Sequence, residues 1–232
     1  MKKNNLKNKI KIIISKKFRL YFISYFLIFG GFTLVSLSFG STIYSEYHYY
    51  LDKTLRTNYV INKKSSIEKK SDSNFLKNLI LGQTVSLTPP SPNSIIIEKI
   101  GVAAPIILNV SVTDENEYFE ALKQGVAHAK GKALPGQVGN VYLFAHSSIE
   151  FWKMGPYATV FNQVRRLENE DIIYLFYKNE IYKYEVFNKY VVEGFDLKPY
   201  SQNYSESVLT LQTCDPPGTQ LNRLIVTARL IK

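Results

Sequence analysis

The longest uninterrupted apolar pattern lies between Leu20 and Ser45, where LYFISYFLIFGGFTLVSLSFGSTIYS carries no charged residue. At about 1.5 Å rise per residue such a run exceeds the roughly 30 Å hydrocarbon core of a bilayer, which predicts a membrane-spanning helix. A cleaved signal peptide is the alternative, since Gly40-Ser41 offers small residues, but the run is longer than a signal core of about 7 to 15 residues. Residues 46–92 lose this character. KKSSIEKKSDSN and SLTPPSPNS replace periodic apolar positions with Ser, Lys, Asn and Pro and read as a stalk, in which FLKNLILG at 75–82 is either a short amphipathic helix or a solvated turn. From Ser94 short β-branched and aromatic runs follow one another between turn residues: SIIIEKI, APIILNV, NVYLFAH, DIIYLFY, EIYKYEVFNKYVVE, SVLTLQT and RLIVTARL. Lys178-Asn179-Glu180 marks a hairpin. Two stretches have helical spacing instead. One opens at Asp114 with Glu117 three residues on and stops at Gly125, and the other starts at Pro156 and sets Val160, Phe161, Val164 and Leu167 on one face. Seven or eight strands with two helical connections suggest a mainly β fold closed into a barrel rather than a sandwich. The expected organisation is a basic segment at 1–19, a transmembrane helix at 20–45, a stalk at 46–92 and a folded domain at 93–232.

Charge sharpens this picture. Of the 29 basic residues in the 232-residue chain, eight (Lys2, Lys3, Lys7, Lys9, Lys11, Lys16, Lys17, Arg19) precede Glu46, the first acidic residue. The formal charge of +10 therefore sits mostly at the N-terminus, and beyond residue 20 the 21 basic residues nearly balance the 19 acidic ones. A nearly neutral domain carries no electrostatic footprint for nucleic acid, whereas a basic block beside an apolar run places the N-terminus in the cytoplasm and the folded domain outside. A single cysteine, Cys214, excludes an intramolecular disulfide and a Cys-rich zinc site. Nothing in the sequence calls for a metal or an organic cofactor.

Three residues with complementary chemistry stand at strand ends. Cys214 directly follows VLTLQT, His146 ends VYLFA, and Arg223 opens RLIVTA. A lone cysteine is commonly a small core hydrophobe, so position matters. At strand ends a thiolate to attack a carbonyl, an imidazole to move protons and a guanidinium to offset oxyanion charge suffice for acyl transfer. No carboxylate near His146 is nominated as its orienting partner, because Glu150 lies beyond SSI.

TLQTC, followed by DPPGTQLNRLIV, resembles the TLxTC signature of the sortase family with the arginine that starts its next strand. AHSS at 145–148 is similar to the family's histidine motif, and GVAHAKGKALPGQVGNVYLFAHS to the segment leading into it, so the resemblance spans roughly Ser94 to Lys232. It implies an eight-stranded barrel and a cysteine transpeptidase that cuts LPxTG-like sorting signals of secreted proteins after the threonine. Cys214 would hold the acyl group as a thioester until an amine, from a cell-wall peptide or a pilin lysine, releases it. His146 would be the acid/base, and Arg223 would bind the substrate backbone and the oxyanion. The family's active pair is held to be a thiolate and an imidazolium present in a minority of molecules.

Other positions are secondary candidates. Thr213 is placed to bond the bound peptide or simply to end a strand. His128 lines the substrate or is structural, and Trp152, in the loop after His146, lines the acceptor entrance or packs. Arg229 shares a strand face with Arg223 and reads as a surface charge. His48, in YSEYHYY, belongs to an interfacial aromatic belt. With no Asp-Pro-aromatic lid ahead of the barrel and no second apolar span after Ile231-Lys232, cell-wall anchoring is expected over pilin polymerisation, although the nine-residue Cys-to-Arg spacing and the PPG turn occur in pilin-type relatives too. Two rivals stand from other classes. One is a silent membrane-tethered peptide-binding module. The other is an L,D-transpeptidase, against which count the 68 positions between His146 and Cys214.

Overall fold

The computed structural model describes residues 2–61, 84–147 and 157–232, and within the first of these no side chains at 2–17, 20, 37–39, 41 and 42. The chain divides into two compact units, residues 1–40 and 41–232. The first is helical throughout its described length, as part of α1 (Lys2–Thr54). Its side chains from Phe18 to Val35 leave Phe22, Tyr25, Phe26, Phe29 and Phe32 each about two-thirds exposed, with Leu27, Ile28 and Leu34 similarly open on the helix's other faces. Among the described residues no helix is long and apolar enough to cross a membrane, and positions 20, 37–39, 41 and 42 of the uncharged run lie outside the described side chains.

The second unit contains more than the expected domain. The end of α1 is fixed there by Arg166, whose Nη2 donates to the Glu46 carboxylate at 2.8 Å and whose guanidinium lies 4.5 Å from the Tyr49 ring centre. Gln163 donates to the Ser45 carbonyl, and the Tyr59 hydroxyl to Asp52 at 2.7 Å. Strand β1 (Asn58–Ile61) then pairs in parallel with β2 (Thr84–Leu87). The stretch expected to be a plain stalk is thus helix at one end and a small sheet beyond it; FLKNLILG at 75–82 lies outside the described residues.

Eight strands close into a barrel: β3 (Ser94–Ile97), β4 (Val102–Val110), β5 (Val126–Ala129), β6 (Gly139–Phe144), β7 (Ile172–Tyr177), β8 (Glu180–Glu193), β9 (Ser207–Asp215) and β10 (Asn222–Leu230). Around the circle they run β10-β8-β7-β3-β4-β5-β6-β9. Two pairings, β4 with β5 and β6 with β9, are parallel and the others antiparallel. Strand alternation fills the interior with Ile95, Ile97, Ala104, Val141, Leu143, Leu175, Leu209, Leu211, Leu224 and Val226. The alternate residues of β5 and β6, Ala127, Ala129, Tyr142 and Phe144, face outward beneath α2 (Glu115–Gln124) as a second cluster.

Local signals explain most elements. Asp114 caps α2 by accepting from the backbone N–H groups of Asn116 and Glu117. The expected reciprocal bond is redirected: Glu117 accepts from Ser111 N–H, and Asp114 N–H donates to Ser111 Oγ. Lys178 and Asn179 both take positive φ, +51° and +64°, which gives the β7–β8 hairpin the two-residue turn whose twist suits the flanking strands. β5 was not among the expected strands; VAHA is too short and too small to show alternation and becomes a strand because β4 and β6 flank it.

The expected second helix is a correction. Pro156 lies outside the described residues, and from Tyr157 the chain makes a series of turns ending in a 3₁₀ helix at Val164–Arg166. Backbone bonds run Val164 to Phe161, Arg166 to Gln163 and Leu167 to Val164, each spanning three residues. Phe161, Val164 and Leu167 are three apart, and at three residues per turn they line up on the core, where all are buried. The second short helix is instead α3 (Lys198–Ser201), with Pro199 in its first turn.

Gly125 ends α2 in extended backbone and is required by proximity: a Cβ there would stand 2.4 Å from the Pro105 carbonyl oxygen. Because the obstacle is the β4 backbone, Gly125→Ala is expected to destabilise the protein by about 1–3 kcal/mol. A urea midpoint equal to wild type would show that β4 can move aside.

Candidate active site

Three neighbouring strands assemble the site. In the parallel β6–β9 pair, Phe144 lies opposite Gln212, and the ladder continues past the strand end as Ala145 N–H donates to the Gln212 carbonyl. Thr213 Oγ1 then donates to the Ala145 carbonyl at 3.1 Å and Ser147 Oγ to the Cys214 carbonyl at 3.1 Å. His146 is held between these two ties, in register with Cys214. On the other edge of β9, Cys214 pairs directly with Arg223 of β10. Leu143 and Ala145, Leu211, and Leu224 point into the core, so the alternate residues His146, Cys214 and Arg223 share the outward face. The strand-end triplet is therefore brought together, with the cysteine on the central strand.

A tight turn secures the same end. Pro216-Pro217-Gly218 joins β9 to β10, with Gly218 at φ +81° and its N–H donating to the Ser147 carbonyl at 2.6 Å. Arg223 Nη1 donates to the carbonyls of Gln220 at 3.2 Å and Asn222 at 3.1 Å, which anchors the guanidinium on that loop. Cys214 is a free thiol and partly exposed. Burial pushes the His146 imidazole down to about 4, so the ring is neutral at pH 7.

The secondary candidates do not join this face. Thr213 is buried, points to the core side and has its hydroxyl committed to Ala145, so it positions the histidine loop. His128 is fully buried on β5, opposite the core residue Leu143. Its Nε2–H donates to the Ala133 carbonyl at 2.9 Å while Nδ1 accepts from Asn109 N–H at 3.4 Å, a neutral ring serving as a backbone brace. Burial lowers its pKa as well. Trp152 lies outside the described residues. Arg229 lies on the Arg223 face but stacks over Phe187, 5.3 Å from the ring centre, at the far end of β10. Among the described residues no group of acidic, histidine and cysteine side chains could hold a metal ion. Ser147 was missed as a functional residue, although AHSS contains it, because its bond to Cys214 crosses 67 positions.

The sortase-domain family model matches residues 95–231, well over half of the chain. The chain belongs to the sortase family. Among solved structures it is similar to the Clostridium perfringens sortase D5 transpeptidase, at 28% identity and a TM-score of 0.50 over 60% of this chain and 78% of that one. Sortase C-1 of Actinomyces oris matches at 27% identity and a TM-score of 0.49, covering 62% and 76%. Sortase C1 of GBS pilus island 1 matches at 26% and 0.50, covering 60% and 64%. No curated protein matches.

This sortase barrel holds two histidines below their ordinary value of 6.5, which fixes the sign of its acid response. Above pH 6.5 both are neutral, folded or unfolded, and cost nothing. As pH falls from about 6.5 towards about 4 the unfolded chain binds a proton at His146 that the folded one refuses, so stability is lost across that window. The urea midpoint is expected to fall between pH 7 and 4.5, and less steeply in His146→Gln. Equal slopes in the two proteins would contradict a depressed His146.

Proposed function

We propose that this sortase is a membrane-anchored transpeptidase that cleaves LPxTG-like sorting signals after the threonine and transfers the acyl group to an amine of the cell wall. The observation carrying the reading is the alignment of His146, Cys214 and Arg223 on one face of three adjacent strands. In the first half-reaction the Cys214 proton passes to His146, the resulting thiolate attacks the scissile carbonyl while Arg223 donates N–H groups to the developing oxyanion, and His146 hands that proton to the departing amine as the C–N bond breaks and the thioester forms. In the second, the acceptor amine attacks the thioester, His146 takes its proton, and the thiolate leaves. An imidazole depressed to about 4 agrees with an imidazolium present in only a minority of molecules at neutral pH. Pilin polymerisation is the second reading, favoured by the likeness to sortase C1 of GBS pilus island 1.

The test incubates the protein with a library of LPxTG-like peptides and either a cell-wall peptide amine or a pilin lysine peptide, following products by mass. Wild type should form a thioester and a transfer product with the former. Cys214→Ala should form neither, and Arg223→Lys, which keeps the charge but loses the planar fork of donors, should be roughly 10² to 10³ slower. Transfer by Cys214→Ala would overturn the nucleophile, since the chain holds no other cysteine, and preference for the lysine peptide would move the reading to pilins.

For the anchor, the supporting observation is α1, whose apolar side chains between Tyr21 and Val35 are exposed on every face, as suits a helix solvated by lipid. Lysines precede it, so the barrel faces outward and the N-terminus the cytoplasm. Protease added outside intact cells is expected to digest the barrel and spare residues 1–19; a protected barrel would reverse the orientation.

A further inference from the structure

The mechanism above assigns nothing to the aromatic pair on α2, which the capping pattern places one turn into that helix. Tyr118 stacks on Phe144 of β6, with ring centres 5.2 Å apart and planes 14° from parallel. From that platform it meets the His146 ring edge-on, at 5.7 Å and 80°. Phe119 contacts the same imidazole at 5.6 Å and 30°, and the two aromatics touch each other at 5.6 Å. His146 thus has backbone ties on both flanks and two rings from α2 against it.

We propose that Tyr118 is a positioning residue for transpeptidation: its ring, held flat on Phe144, sets the plane of the His146 imidazole relative to Cys214 and, with Phe119, keeps water from it. This rests on the acid/base role given to His146 above. Edge-to-face aromatic contacts of this kind carry specific geometry beyond the area they bury. The exclusion of water is what makes the imidazolium costly, so the same rings that orient the imidazole also keep its protonated form in the minority. Among the described residues, Tyr118 of α2 touches the His146 ring, and Cys214 of β9 and Arg223 of β10 share its outward face. The Tyr118 phenol senses both of the latter: burial first, then the Cys214 charge, push its pKa up to about 12, while Arg223 pulls it down. It therefore stays protonated at neutral pH and adds no charge beside the imidazole. On this account the ring matters and the hydroxyl is secondary.

Tyr118→Leu keeps an apolar side chain on the helix but removes the ring; Tyr118→Phe keeps the ring. Two readouts are needed, transpeptidation and the titration of His146 followed by NMR, with His48 and His128 separated by a His146→Gln control. In Tyr118→Leu the His146 pKa is expected to rise from about 4 by at least one unit towards 6.5, and kcat/KM to fall roughly 10-fold to 100-fold with the larger share in kcat. Tyr118→Phe should restore both. Tyr118→Leu with an unmoved His146 titration overturns the proposal, and so does Tyr118→Phe as impaired as Tyr118→Leu, which would give the role to the hydroxyl. Since the titration needs no substrate, failure of every sorting peptide with the wild type would count against the proposed function and leave this result to be read separately.

Discussion

The register of β9 against its two neighbours is the constraint from which the rest of the site follows. β9 is parallel to β6 on one side and antiparallel to β10 on the other. Because side chains alternate between faces, a slip of one residue on either side would turn His146 or Arg223 into the core while Cys214 stayed outside. The ties that prevent this slip are concentrated at the functional end. Thr213 bonds Ala145, Ser147 bonds Cys214, and Gly218 bonds Ser147. Farther down the same face the Tyr142 hydroxyl donates to Gln212 Oε1 across the β6–β9 pair. Hydrogen bonds that look like ordinary loop closure therefore fix the relative position of thiol and imidazole.

The outward face of the β5–β6–β9–β10 wall is where stability and chemistry meet. Over β5 and β6 it is covered by α2, through Ala121, Leu122 and Tyr118 packed with Ala127, Ala129 and Phe144. At the upper end the same face emerges at Cys214 and Arg223. His146 stands where the cover gives out, with apolar rings on one side and the thiol strand on the other, and its lowered pKa is the electrostatic consequence. Helix α2 is itself placed by a parallel crossover from β4 to β5, in which Gly125 passes against the Pro105 carbonyl with no room for a side chain.

Legibility in the sequence followed the range of the interaction. Strands with strong alternation, such as DIIYLFY and EIYKYEVFNKYVVE, and the Asp114 cap were readable because their signals lie within a few residues. β5 was not, having four small or mixed residues, and the stretch after Pro156 carried apolar positions that serve a 3₁₀ turn as well as an α-helix. Arg223, His146 and Cys214 were legible through their motifs and strand-end placement. Tyr118 and Ser147 were not, since each acts on a partner far along the chain.

By itself, then, the sequence determined that this chain has an apolar run behind a block of lysines, a β domain of short alternating strands, and a single thiol at a strand end. These are consequences of composition and local period, which the backbone converts into structure without reference to distant residues. Tertiary structure alone decided that β6 would lie parallel beside β9, far away in the chain, that His128 and Thr213 would turn inward, and that Tyr118 would press on His146. The physical reason is that barrel closure selects strand order and register by burying every alternate residue at once, a condition no local window of residues contains.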